Sequence, residues 1–133
     1  MHITRTRPAS RQGLAENFTG TVWLDEIASP EPPSRLRMFS VHFAPGAHTA
    51  WHRHPHGQVL HVTEGEGFVQ RDGGSVEPIR AGDTVWIEPG ERHWHGAGPL
   101  TFMTHLAVVE AADDGTTAVW EERVPDTEYP TTA

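Results

Sequence analysis

Five of the chain's ten histidines fall in one short stretch, GAHTAWHRHPHGQVLHVTEG, from Gly46 to Gly65. Two of them, His52 and His54, form a His-x-His, and a second such pair, His93 and His95, lies in RHWHG. Alternate residues of a strand point to the same side, so each pair offers two imidazoles in one direction. Two such pairs on different strands can converge inside a small barrel, and neutral imidazole is the commonest protein ligand for metals. Gln58 follows the turn-like PHG and opens the next segment, where its amide oxygen can reach the same centre or simply hydrogen-bond nearby. Imidazole with a hard oxygen suits Mn, Fe, Co, Ni or Zn. The chain has no cysteine, which excludes thiolate sites and disulfides.

Further side chains share these faces. His95 lies on the side of His93. His105, in FMTHLAV, shares a side with Met103 and Ala107. If that side is inward, its imidazole stands in apolar surroundings near a cation, stays neutral and can act as a base; a hydrogen-bonded core histidine is the other role. Phe39, Val41 and Phe43 alternate with His42 and would line a pocket. His48 would face either the pocket mouth or solvent, Thr49 and Met103 would join the pocket lining, and Thr49 or Thr104 could orient a substrate. His61 falls on the opposite strand face from Gln58, and His56 sits in an exposed turn. Trp51, Trp86 and Trp94 read as packing residues.

The elements that must position these groups are short strands. Thirteen glycines and eleven prolines punctuate the 133 residues. Strand character marks TGTVWLDEI, LRMFSVHF, AWHRH, GQVLHVTEG, EGFVQR, SVEPI, DTVWIE, RHWHG and LTFMTHLAVV, with turns at SPEPPS, DGG, AGD and EPGE. Helix-like periodicity is weak and confined to TTAVWEERV near the end. The expectation is one all-β domain, a sandwich or barrel over residues 20–110, with an N-terminal arm (1–19) and an acidic C-terminal segment (111–133) packed on it or trailing from it. The formal net charge of −8 argues against nucleic acid. No apolar run resembles a secretory signal or a membrane span, so a cytoplasmic protein is expected.

The motifs also carry a resemblance. Gly46, five residues, His52-x-His54, three residues, Gln58, six residues and Gly65 resemble the first motif of the cupin superfamily, with glutamine in place of its glutamate. Gly82, five residues, Glu88-Pro89-Gly90, two residues and His93 resemble the second, with Glu88 in place of its first proline. The resemblance implies a jelly-roll-like double-stranded β-barrel with metal ligands His52, His54, Gln58 and His93. FTGTVWLD, GAHTAWHRHPHGQ, GDTVWIEPGERHWHGA and MTHLAV are similar to a narrower group, the bacterial manganese-dependent cupin hydroxynitrile lyases. That likeness implies Mn2+ at a three-histidine, one-glutamine site, with His95 and His105 beside it as catalytic groups.

Gln58 brings no charge, so such a site keeps a formal +2: a stronger Lewis acid, a poorer reductant and a weaker holder of its ion than the glutamate version. The leading expectation is therefore a lyase that cleaves or forms cyanohydrins from a small aldehyde. An Fe- or Mn-dependent dioxygenase and a non-catalytic ligand-binding protein are the alternatives. A homodimer or homotetramer is expected, since sheet edges invite pairing.

Overall fold

The computed structural model describes residues 1–131; Thr132 and Ala133, the end of the expected acidic segment, lie outside the described residues. Twelve strands form in chain order: β1 (Arg11–Gln12), β2 (Phe18–Thr19), β3 (Val22–Ala28), β4 (Leu36–Phe43), β5 (His48–Thr49), β6 (His52–Arg53), β7 (Gln58–Arg71), β8 (Glu77–Arg80), β9 (Thr84–Ile87), β10 (His93–Ala97), β11 (Met103–Glu110) and β12 (Val119–Trp120). There is no helix among the described residues, hence none long and apolar enough to cross a membrane. TTAVWEERV, where helical periodicity was expected, instead supplies β12, which pairs with β6.

All pairings are antiparallel. One sheet runs β1-β3-β4-β11-β7-β9 and the other joins β2, β5, β10, β7 and β8, with β6 alongside β10 and β12 alongside β6. The 14-residue β7 belongs to both. Its first half pairs with β11 and β9, its second with β10 and β8. GQVLHVTEG and EGFVQR are therefore one continuous strand, creased at Gly65. Only glycine fits there: φ is +74°, and a Cβ would lie 1.8 Å from the Phe102 carbonyl oxygen. The crease folds the two sheets toward each other, giving the all-β, jelly-roll-like barrel.

Inward residues of both sheets make the main core, including Val22, Phe43, Leu60, Val62, Ile87 and Met103. A second cluster lies outside β10, where Trp51 and Trp94 meet Val124 and Tyr129 of the C-terminal segment. Every residue of β10 is buried as a result, with its histidines on one face and Trp94 on the other. The C-terminal segment wraps the barrel as a strap. Arg92 bonds both Glu121 (2.8 Å) and Glu122, Arg53 bonds Glu121 at 2.6 Å, and the Arg92 guanidinium lies 4.2 Å over the Trp51 ring.

Candidate metal centre and active site

A cavity of about 380 Å³ opens between the two sheets, and His52, His54, Gln58, His95 and His105 line it. Strand period two puts them there. β10 turns His93 and His95 to the interior with their rings 5.7 Å apart and nearly parallel. Register sets His52 opposite His93, ring centroids 4.2 Å apart. His54 stands 4.9 Å from His52 and 5.3 Å from His93.

Backbone carbonyls fix the tautomers. His52 Nδ1 donates to Ala50 O at 2.9 Å, His54 Nδ1 to Thr117 O at 2.7 Å and His93 Nδ1 to Glu91 O at 2.9 Å. A carbonyl can only accept, so each Nδ1 carries the proton and each Nε2 keeps a lone pair. The Nε2 atoms of His54 and His93 and the Oε1 of Gln58 are buried without a hydrogen-bond partner. Bare acceptors gathered in one cavity fit a divalent cation: they supply lone pairs and no donor that would repel it. One grouping of candidate ligand atoms, all within 4.8 Å of one another, is His52, His93 and His95. It includes His95, which the sequence assigned to catalysis, because His95 shares the face of His93.

His95 and His105 are bonded to each other, Nδ1 to Nε2, at 3.0 Å. The outer nitrogens of the pair, His95 Nε2 and His105 Nδ1, are buried without partners. Thr49 Oγ1 accepts the His95 backbone N–H at 3.2 Å, which ties this segment of β10 to β5. Phe43 caps the pair, 5.3 Å from the His105 ring and 5.8 Å from the His95 ring. Burial holds the imidazoles neutral. It pushes His93 and His105 down to about 4, and His52 and His95 well below their ordinary value, with like-charge neighbours adding to the shift. His54 is lowered by burial as well.

Of the expected pocket residues, Phe39, Val41 and Thr49 line the cavity. His48 and Met103 do not. His48 alternates with inward Thr49, so its ring faces out under the strap and stacks on Tyr129 at 4.0 Å. Met103 does share the face of His105, but it lies two residues nearer the closed end. There it is fully buried against the crease, and its sulfur would sit 2.8 Å from a Cβ on Gly67. Thr104 points outward and meets His42 Nδ1 at 3.2 Å. His61 bonds Thr84 on the outer face.

Two lining elements escaped the sequence. The turn from Arg11 to Phe18 covers one side of the mouth, and Thr117, Ala118 and Trp120 of the strap form another wall. The Trp120 ring stacks on His52 at 4.5 Å and 25°. Both elements reach the site through long-range pairing that local residue patterns do not encode. A second recess of about 420 Å³, lined by Glu66, Phe68, Arg80 and Leu100 among others, contains none of the histidines.

Comparison with known proteins agrees with this fold. The cupin domain model matches residues 39–106. An (R)-mandelonitrile lyase from Granulicella tundricola is 53% identical over 121 residues, covering 91% of this chain and 92% of the relative. The crystal structure of a cupin-like protein from Thermotoga maritima superimposes with a TM-score of 0.84 at 35% identity, covering 96% of this chain and 95% of that one. A polyketide cyclase from Streptomyces resistomycificus shares the fold, with a TM-score of 0.73 at 21% identity over 98% of this chain and 91% of its own. With crease, register, histidine pairs and relatives in agreement, the chain belongs to the cupin family.

Proposed function

We propose that this protein is a metal-dependent hydroxynitrile lyase that cleaves cyanohydrins to an aldehyde and cyanide and catalyses the reverse addition. The observation that carries the reading is the buried, neutral His95–His105 pair beside a cluster of bare acceptor atoms. The 53% identity to an (R)-mandelonitrile lyase supports it. His52, His54, Gln58 and His93 would hold the ion, for which we propose Mn2+. Bound there, it would supply Lewis acidity toward the substrate hydroxyl.

The chain's own residues then handle the proton. With His95 Nδ1 donating to His105 Nε2, the lone pair on His95 Nε2 is free to take the hydroxyl proton. The His95 Nδ1 proton can pass across the 3.0 Å bond, so both rings share the charge. As the carbon–carbon bond breaks, its electron pair leaves on cyanide and the oxygen becomes the aldehyde carbonyl. The imidazolium returns the proton to cyanide. Phe39, Val41 and Leu24 offer an apolar wall for the aldehyde's side chain.

The arm (1–19) and acidic segment (111–133) are proposed as walls of the site flanking the 20–110 barrel. A cytoplasmic homodimer or homotetramer completes the reading. Trp23 and Trp86 stand exposed on the outer side of the larger sheet, a surface that self-association would cover.

The test is a benzaldehyde-plus-cyanide assay of Mn-loaded protein. We expect His105→Ala to keep its metal and lose turnover by about two orders of magnitude or more. Undiminished turnover would remove the histidine pair from the mechanism, and oxygen uptake with the same substrates would favour a dioxygenase instead.

A further inference from the structure

The site wall carries one fixed charge where the chain as a whole is strongly acidic. The sequence holds 18 aspartates and glutamates against 10 lysines and arginines. Among the described residues, no carboxylate lines the cavity, and Arg11 is its only arginine or lysine. Register gives the direction of that side chain. Arg11 pairs with Leu24, Leu24 with Val41, Val41 with His105 and His105 with Val62. Directly paired residues project to the same face of a sheet. Arg11 thus belongs to the inward row that contains the catalytic histidine, three strands away, or roughly 14 Å along the curved sheet.

The arm that bears Arg11 is seated. Gly13 N–H bonds Val22 O at 2.8 Å, and Phe18 N–H closes a turn onto Leu14 O at 3.1 Å. Ala50 N–H bonds Asn17 O at 2.8 Å, and Arg123 donates to Ala15 O. The Arg11 guanidinium itself has no ion pair or side-chain hydrogen bond among the described residues. Between it and the histidine pair lie the apolar side chains of Leu24 and Val41. The row therefore reads, from the mouth inward, cation, apolar stretch, reactive site.

We propose that Arg11 is a specificity residue that binds a carboxylate on the substrate, and that the substrate class is an aldehyde, with its cyanohydrin, bearing an anionic group on the end remote from the reacting carbon. The inference rests on reading the cavity as an aldehyde and cyanohydrin site. Its chemistry is bidentate: a planar guanidinium matches the two oxygens of a carboxylate, which a lysine ammonium does not. No acidic neighbour in the cavity wall competes for it. The apolar stretch takes the body of the molecule, and its length favours a substrate whose anionic group is separated from the aldehyde by a ring or a short chain.

The experiment is calorimetric titration of Mn-loaded full-length protein with 4-carboxybenzyl alcohol and with its neutral methyl ester, in wild type, Arg11→Gln and Arg11→Lys. Neither ligand turns over, so binding is read apart from lyase activity. The wild type should bind the carboxylate on the order of tenfold more tightly than the ester, as one charge-assisted pair allows. Arg11→Gln should abolish that preference, Arg11→Lys should keep only part of it, and salt should erode it. An unchanged carboxylate-to-ester ratio in Arg11→Gln overturns the proposal, including the case in which the carboxylate binds the metal directly. A parallel assay with 4-carboxybenzaldehyde and cyanide separates the two readings. Arg11-dependent binding without cyanohydrin formation sustains anion recognition and defeats the lyase assignment.

Discussion

A buried lone pair with nothing to accept costs stability, so a cavity that gathers several is built for an occupant that is absent from the chain itself. His54 Nε2, His93 Nε2 and Gln58 Oε1 are such atoms. Gln58 is the informative one, because its amide donates no charge. Gln58→Glu puts a carboxylate oxygen at nearly the same place. We expect about tenfold tighter Mn2+ binding by calorimetry and about tenfold slower cyanohydrin turnover, since the added charge holds the ion and blunts its acidity. Unchanged affinity would place Gln58 outside the ligand set. At this scale much of the site was legible in the sequence, because strand alternation alone aligns His52 with His54 and His93 with His95. The carbonyls that orient them were half legible. Ala50 and Glu91 lie two residues before the histidines they serve, whereas Thr117 is 63 residues from His54. The bond between His95 and His105 was not readable as a distance, since it depends on how β10 and β11 fold across the crease in β7.

At the scale of the element, the C-terminal strap differs most from expectation. TTAVWEERV has weak helical spacing, but its backbone is claimed elsewhere. Val119 and Trp120 pair with β6, and Glu121 N–H and Glu122 O bond the backbone of Trp51. Tertiary pairing of this kind overrides a weak local propensity. The consequence is functional, because the strap presses Trp120 against His52 and presents Thr117 O to His54. Trp120→Ala removes the stack while leaving every proposed ligand in place. We expect metal affinity to fall about tenfold or more, as for other groups that orient ligands, together with a drop of several degrees in Tm. Metal titration and thermal melts of the metal-free protein check the two effects separately. A lower Tm with unaltered affinity would make the strap a stabilising cover only. The strands were easier to foresee than the strap, since β4 and β9 fall within the segments LRMFSVHF and DTVWIE, and β10 runs one residue past RHWHG. Alternation says which side chains share a face, although the burial of β10 on both faces also needs Val124 and Tyr129 of the distant strap.

At the scale of the whole molecule, the fold keeps a group of histidines uncharged inside a barrel whose surface is acidic. The stability of that arrangement depends on pH with a definite sign. Burial lowers His93 and His105 to about 4, and lowers His52, His54 and His95 too, while the unfolded chain titrates near the ordinary 6.5. Between those values the unfolded chain binds protons that the folded chain refuses. The neutral histidines thus impose no penalty above about pH 6.5, and stability is lost progressively as pH falls from there toward 4. Urea denaturation of the metal-free protein from pH 7.5 to 5 should show this fall. His105→Leu, which swaps a buried titrating ring for an apolar side chain of similar size, should flatten it by up to one proton's worth of slope. The comparison isolates one group, because carboxylates and the remaining histidines are common to both proteins. An equal slope in the two would mean that His105 takes up its proton as readily folded as unfolded, so that burial is not what holds its ring neutral.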